Sequence, residues 1–106
     1  MLSSYLYCFF GGAFLANALP HLVAGMSGRA FPTPFANPPG QGESSSFVNV
    51  LWGAFNLAAA YGLLCILMEL RLDDYPHVTA TGAGALLLAL FTAWRFGPLY
   101  GGRTKK

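Results

Sequence analysis

Charge is what this sequence has least of. Four acidic and six basic residues make up 9% of its 106 positions, against roughly 25% in an ordinary soluble domain. That is too little charge to wet a globular surface. The scarcity is also patterned, because no charged residue occurs in 1–28, 44–68 or 75–94. These runs of 28, 25 and 20 residues each approach the ~20 apolar residues that carry a helix across a bilayer. With 55% hydrophobic residues and a mean hydropathy of +0.49, the composition excludes a soluble enzyme and a disordered chain. Two cysteines are too few for a disulfide scaffold. Cys8 and Cys65 are nowhere near CxxC spacing, so no redox motif or metal site is expected.

Other absences narrow the function. GxxxxGK[ST] and HExxH are missing, and the glycines are not followed by a phosphate-binding lysine. No acidic residue falls inside an apolar run: Glu69, Asp73 and Asp74 all lie beyond the second. No Ser/His pair with an orienting acid is therefore expected at one depth, and no catalytic residue is assigned. A proton-coupled exporter would ordinarily carry a carboxylate in mid-membrane. The basic residues are too sparse for a nucleic-acid surface.

What is present reads as an all-α membrane protein, with three transmembrane helices and a long Pro/Gly/Ser-rich loop between the first two. The first helix is expected at about 2–23, the loop at 24–46, and the second helix at about 47–70. The third is expected at about 77–96, followed by a basic tail, 97–106. Tyr5 and Tyr7 suit a membrane interface. Ser44–Ser46 offer capping hydroxyls to the second helix. Pro76 suits the first turn of the third, and Gly97-Pro98 reads as its stop. Ala16-Asn17-Ala18 resembles a cleavage site, but a signal peptide ordinarily begins with Lys or Arg, and none precedes it here.

Orientation follows from the basic side chains. Arg29 in the loop and Arg95, Arg103, Lys105 and Lys106 at the C-terminal end share one side, while the other side has only Arg71. Five against one predicts an outside N-terminus and a cytoplasmic C-terminus, in a multi-pass protein of a bacterial inner membrane. The same five cations are candidate lipid headgroup contacts.

The loop GMSGRAFPTPFANPPGQGESSS is longer than most helix connections. Its prolines favour extended backbone. Phe31 and Phe35, flanked by Pro32 and Pro34, are larger apolar groups than a solvated linker needs. They suit either a stiff connector lying on its own helices or a docking segment for a partner protein.

Polar residues in apolar spans need partners. Asn17 and His21 are four apart, and so on one helix face; Asn49 and Asn56 are seven apart on another. At ~1.5 Å per residue, His21 and Asn49 lie about 3 Å inside their cytoplasmic ends, Asn17 about 9 Å and Asn56 about 13 Å. Thr92 falls in the same leaflet. One polar cluster of Asn17, His21, Asn49, Asn56 and Thr92 is expected, serving as interhelical glue or as a site. His21 is the candidate ligand for a haem or chlorophyll-type pigment. Cys8 and Cys65 match in depth near the opposite ends, which permits a facing pair. Ala85, Ala89 and Ala93 form a smooth face for close helix contact, and Leu86, Leu87, Leu90 and Phe91 are placed toward lipid. The expected function is a small accessory subunit in a larger respiratory, photosynthetic or transport assembly, with membrane lipids and membrane proteins as partners. The alternatives are a cofactor- or lipid-binding protein using His21, or a homo-oligomeric channel or transporter.

Overall fold

A computed structural model describes residues 1–103. Helix α1 spans Leu2–Met26, α2 Ser46–Tyr61 and α3 Tyr75–Tyr100. A π-helical turn, Gly62–Leu67, continues α2. The protein is mostly helical, and Leu2–Met26, Ser46–Leu67 and Tyr75–Tyr100 are each long and apolar enough to cross a membrane. Local chemistry sets the starts. The Ser45 hydroxyl accepts the Val48 N–H at 3.2 Å, and the Asp74 carboxylate accepts the His77 N–H at 3.4 Å, each satisfying an otherwise unpaired amide of a first turn.

The ends differ from expectation in two instructive places. The second helix stops at Leu67 rather than near 70, because a π turn widens the backbone and Glu69 takes a positive φ of 51°. Within that turn Leu63 and Leu64 are the residues that meet α1 at Gly11, while Cys65 is exposed; Cys8 is fully buried, and both are free thiols. The facing cysteine pair does not form. The third helix runs past Gly97-Pro98 to Tyr100. Proline lacks the N–H that Trp94 O would receive, and Arg103 Nε supplies a donor instead at 3.0 Å. The helix then closes on Gly101, at φ 86°, a left-handed stop that glycine adopts without strain.

Helix α1 is the spine. At Gly12 a Cβ would collide with the Thr81 carbonyl, and at Gly84 with the Phe9 carbonyl. Backbone therefore meets backbone where α1 crosses α3. On the other flank, a Cβ at Gly25 would lie 2.6 Å from Ser46 O, and one at Gly53 would lie 2.7 Å from Leu22 Cγ. Small residues at crossings permit this closeness. Helices α2 and α3 each pack on α1 and barely touch one another, which leaves a trough between them with α1 as its floor.

The connecting loop is ordered. Strand β1, Phe31–Pro32, pairs antiparallel with β2, Glu43–Ser44, placing Phe31 opposite Ser44. Thr33 organises the enclosed turn. Its Oγ1 lies 2.6 Å from Ser44 Oγ and accepts the Phe35 N–H at 3.1 Å. Its carbonyl accepts from the Ala36 and Gly40 amides. Pro32, Thr33 and Ala36 are buried, so this segment folds back onto the helices. In the short turn at the opposite end, Arg71 donates twice to Asp73, at 3.0 and 2.9 Å. That contact holds the exposed Asp73 carboxyl below its ordinary range.

Candidate functional site in the trough between α2 and α3

The polar side chains of α1 and α2 meet as two ordered pairs. Asn17 Nδ2 donates to Asn56 Oδ1 at 3.0 Å, and His21 Nδ1 lies 2.8 Å from Asn49 Oδ1. The amide orientations are fixed by neighbours that can only accept. Asn56 Nδ2 donates to the Trp52 carbonyl at 2.7 Å. Asn49 Nδ2 faces the carbonyls of Phe31, Ser44 and Ser45 at 3.0, 3.2 and 3.0 Å. A carbonyl offers no proton, so each amide must turn its nitrogen that way and its oxygen toward α1. Asn49 Oδ1 then requires a donor, which makes His21 Nδ1 the protonated ring nitrogen.

Two acceptors are left over. His21 Nε2 and Asn17 Oδ1 have no hydrogen-bond partner among the described residues. His21 is only 3% exposed, and every fully enclosed side-chain nitrogen and oxygen has a partner. The unpaired ring edge therefore opens onto the space that His21 lines. That space is a cavity of about 350 Å³ floored by Asn17 and His21, walled by Trp52 and by Leu88, Thr92 and Arg95, and closed by the loop at Pro32–Pro34 and Pro39–Gly40. Its size falls within the usual range of small-molecule sites. A second cavity of about 300 Å³ shares Asn17, Trp52 and Leu88 and extends to Phe10, Ala13 and Phe14. Together they make one trough.

The other residues singled out in the sequence lie as follows. Thr92 lines the trough, but its hydroxyl bonds its own helix at Ala89 O, 2.9 Å away, rather than the amides. Arg95 reaches the loop, its Nη2 3.6 Å from where a Cβ of Gly40 would stand, and it makes no ion pair among the described residues. Arg29 is exposed. Arg103 folds back over Trp94, its guanidinium carbon 5.0 Å from the ring centre, while bonding the carbonyl freed by Pro98. Lys105 and Lys106 lie outside the described residues. Phe31 turns inward, stacked on Tyr100 and edge-on to Phe96 and His21, and Pro32 is buried beside it. Pro34 and Phe35 are exposed, with Phe35 also edge-on to Trp52. On α3, Ala85 sits at the crossing near Gly12, and Ala89 and Ala93 face outward.

Sequence reasoning missed three groups. Thr33 and Trp52 shape the site without any motif to announce them. The Glu43 carboxylate accepts the Tyr100 hydroxyl, tying the loop to the end of α3; only their shared predicted side hinted at this.

At the other end, the expectation that no serine, histidine and acid meet is overturned. Ser4 Oγ lies 2.8 Å from His77 Nε2, and His77 Nδ1 lies 2.8 Å from Asp74 Oδ2, with the ring stacked on Tyr5. The N-terminal turns of α1 and α3 start side by side, which a depth estimate along single helices did not anticipate. The order matches that of a hydrolytic triad. The Ser4 hydroxyl is also 2.7 Å from the Met1 carbonyl, an acceptor that competes for its proton, and Asp74 doubles as the cap of α3. The contact accordingly reads as a staple between two helix starts.

No group of three His, Cys, Asp or Glu side chains is placed to hold a metal ion among the described residues. His21 Nε2 offers one coordination position, and the ring is held in orientation by the Nδ1–H bond to the Asn49 side-chain oxygen, an acceptor in the position that a carboxylate or backbone carbonyl ordinarily takes behind a ligating imidazole. Comparison with protein-family models, curated proteins and solved structures finds no match.

Proposed function

We propose that this chain is a small integral-membrane accessory subunit that packs laterally against a larger respiratory, photosynthetic or transport assembly, its N-terminus outside and its C-terminus cytoplasmic. One observation carries this reading. Of the 26 residues of α3, only Gly84 and Gly97 are fully buried, and the side that carries Ala89 and Ala93 is exposed along the helix and open to a neighbouring one. Close approach over small residues is how helices associate in lipid, where burial of apolar surface gives no drive. Isolation of the intact protein in mild detergent should bring down other polypeptides in fixed ratio, and a cysteine at Ala93 should cross-link to one of them. Recovery as a lone monomer overturns the proposal. For the orientation, cysteines at Ser3 and Gly102 should be labelled from opposite sides of the membrane; labelling from one side overturns it.

A second reading, a cofactor- or lipid-binding membrane protein, is favoured by the unpaired imidazole nitrogen above an open trough. A haem or chlorophyll-type pigment on His21 would give the purified protein a visible absorbance that His21→Ala removes. A homo-oligomeric channel would instead show self-contact on cross-linking.

A further inference from the structure

We infer that the trough between α2 and α3 is a binding site for a single-chain acidic amphiphile bearing a hydroxyl between its anionic head and its tail, the chemistry shared by lysophosphatidates and 3-hydroxy fatty acids. This rests on the ligand-binding reading above and is independent of lateral association.

The polar floor demands a donor. His21 Nε2 and Asn17 Oδ1 are acceptors one helical turn apart, both belonging to residues that line the cavity and both without a partner among the described residues. Thr92 adds no donor, because its proton is committed to Ala89 O. Both acceptors open onto the cavity and meet no protein proton there, so a molecule that brings a hydroxyl to this floor supplies the missing donor.

The loop end demands an anion. Arg95 lines the same cavity, its guanidinium turned toward Gly40, without a carboxylate partner among the described residues. Its charge also selects the donor: an ammonium would face a like charge across the trough, whereas a hydroxyl does not. The remaining walls are the rings of Trp52, Phe91 and Phe96 and the side chain of Leu88, and the one polar atom among these four, the indole N–H, can donate but not accept.

Length and order complete the match. Asn17, Trp52 and Leu88 connect the cavity to the second one, which reaches Phe10. From His21 to Phe10 is eleven positions on α1, about 16 Å of rise. An anion at Arg95, a hydroxyl at His21 and Asn17, and a tail running toward Phe10 follow one another in the order in which such a molecule carries them. A trough bounded by one helix on each side suits one tail.

The test uses the full chain in detergent micelles with Trp94→Phe, which leaves Trp52 as the single tryptophan reporter. Oleoyl lysophosphatidate and 3-hydroxytetradecanoate are titrated beside tetradecanoate, which lacks the hydroxyl, and oleoyl lysophosphatidylcholine, which lacks net charge. Saturable change in Trp52 emission is expected with one or both hydroxy acids, the stronger revealing whether phosphate or carboxylate is preferred. Both controls should bind about tenfold more weakly or worse, as loss of one charge-assisted or buried hydrogen bond implies. Arg95→Gln should weaken the acids about as much and leave the choline lipid unchanged. The ¹⁵N resonance of the unprotonated His21 Nε2 should move with the hydroxy acid and stay put with tetradecanoate. Equal responses to tetradecanoate and its hydroxy form, or acid binding that survives Arg95→Gln, overturn the site. If no amphiphile gives a response but the isolated protein carries a pigment lost in His21→Ala, the inference falls while the ligand-binding reading stands. If neither occurs, both fall.

Discussion

His21 Nδ1 and Asn49 Oδ1 lie 2.8 Å apart, and it is the asparagine that decides where the histidine keeps its proton. Three backbone carbonyls hold Asn49 Nδ2. Two of them belong to the strands that close the loop, so one side chain joins the loop, the start of α2 and the floor of the trough.

Asn49→Leu should therefore be among the most damaging single changes. It orphans a buried imidazole N–H and releases three carbonyls, so a loss of about 2 kcal/mol or more is expected. His21→Phe keeps the ring volume and forfeits one bond, and should cost about half as much or less. Reversible unfolding in mixed micelles measures both. Equal costs would show that the three carbonyl contacts carry no weight.

The glycines of α3 should separate sharply. A methyl at Gly84 meets the Phe9 carbonyl, whereas one at Gly82 meets nothing within 4 Å. Gly84→Ala should destabilise by about 1–3 kcal/mol or more through overpacking. Gly82→Ala should stabilise by up to about 1 kcal/mol through helix propensity. Thermal unfolding in detergent reads the pair, and a harmless Gly84→Ala would contradict the close crossing.

The two thiols should differ in reactivity. Cys65 is exposed and Cys8 is fully buried. A membrane-permeant maleimide should add once to the folded protein, at Cys65, and twice only after denaturation. An oxidant should produce no intramolecular disulfide, since Cys65 is exposed while Cys8 is enclosed. Two additions to folded protein, seen by mass spectrometry, would refute the burial of Cys8.

Ser4 should behave as a staple. A fluorophosphonate probe should leave it unlabelled, and His77→Ala should lower the unfolding temperature by releasing the start of α1 from that of α3. Labelling of Ser4 that disappears in His77→Ala would instead make it an activated nucleophile.

The three helices were legible because each is written in the sequence as an uncharged apolar run long enough to cross a membrane. That Asn17, His21, Asn49 and Asn56 would lie toward one end was legible from helical rise, which converts sequence position into depth; their division into two pairs, with Thr92 outside both, was not. Depth does not give azimuth. Cys65, expected to face Cys8, is exposed while Cys8 is buried, and the π turn that carries Cys65 has no sequence signal. The loop hid for a different reason. Its order depends on Thr33 meeting Ser44 and on Asn49 reaching back to Phe31, contacts between segments that composition alone describes only as turn-rich. Proline misled at Pro98, where a distant arginine replaced the missing donor.

The placement of α1 has a consequence for how the molecule can vary. No hydrogen bond joins α2 to α3 among the described residues, and the two seams of the central helix use different glycines. Free-energy costs of changes on one flank should accordingly add to those on the other. Like two doors hung on a single post, the outer helices can be refitted one at a time, latched to each other only where the loop spans from Asn49 to Tyr100.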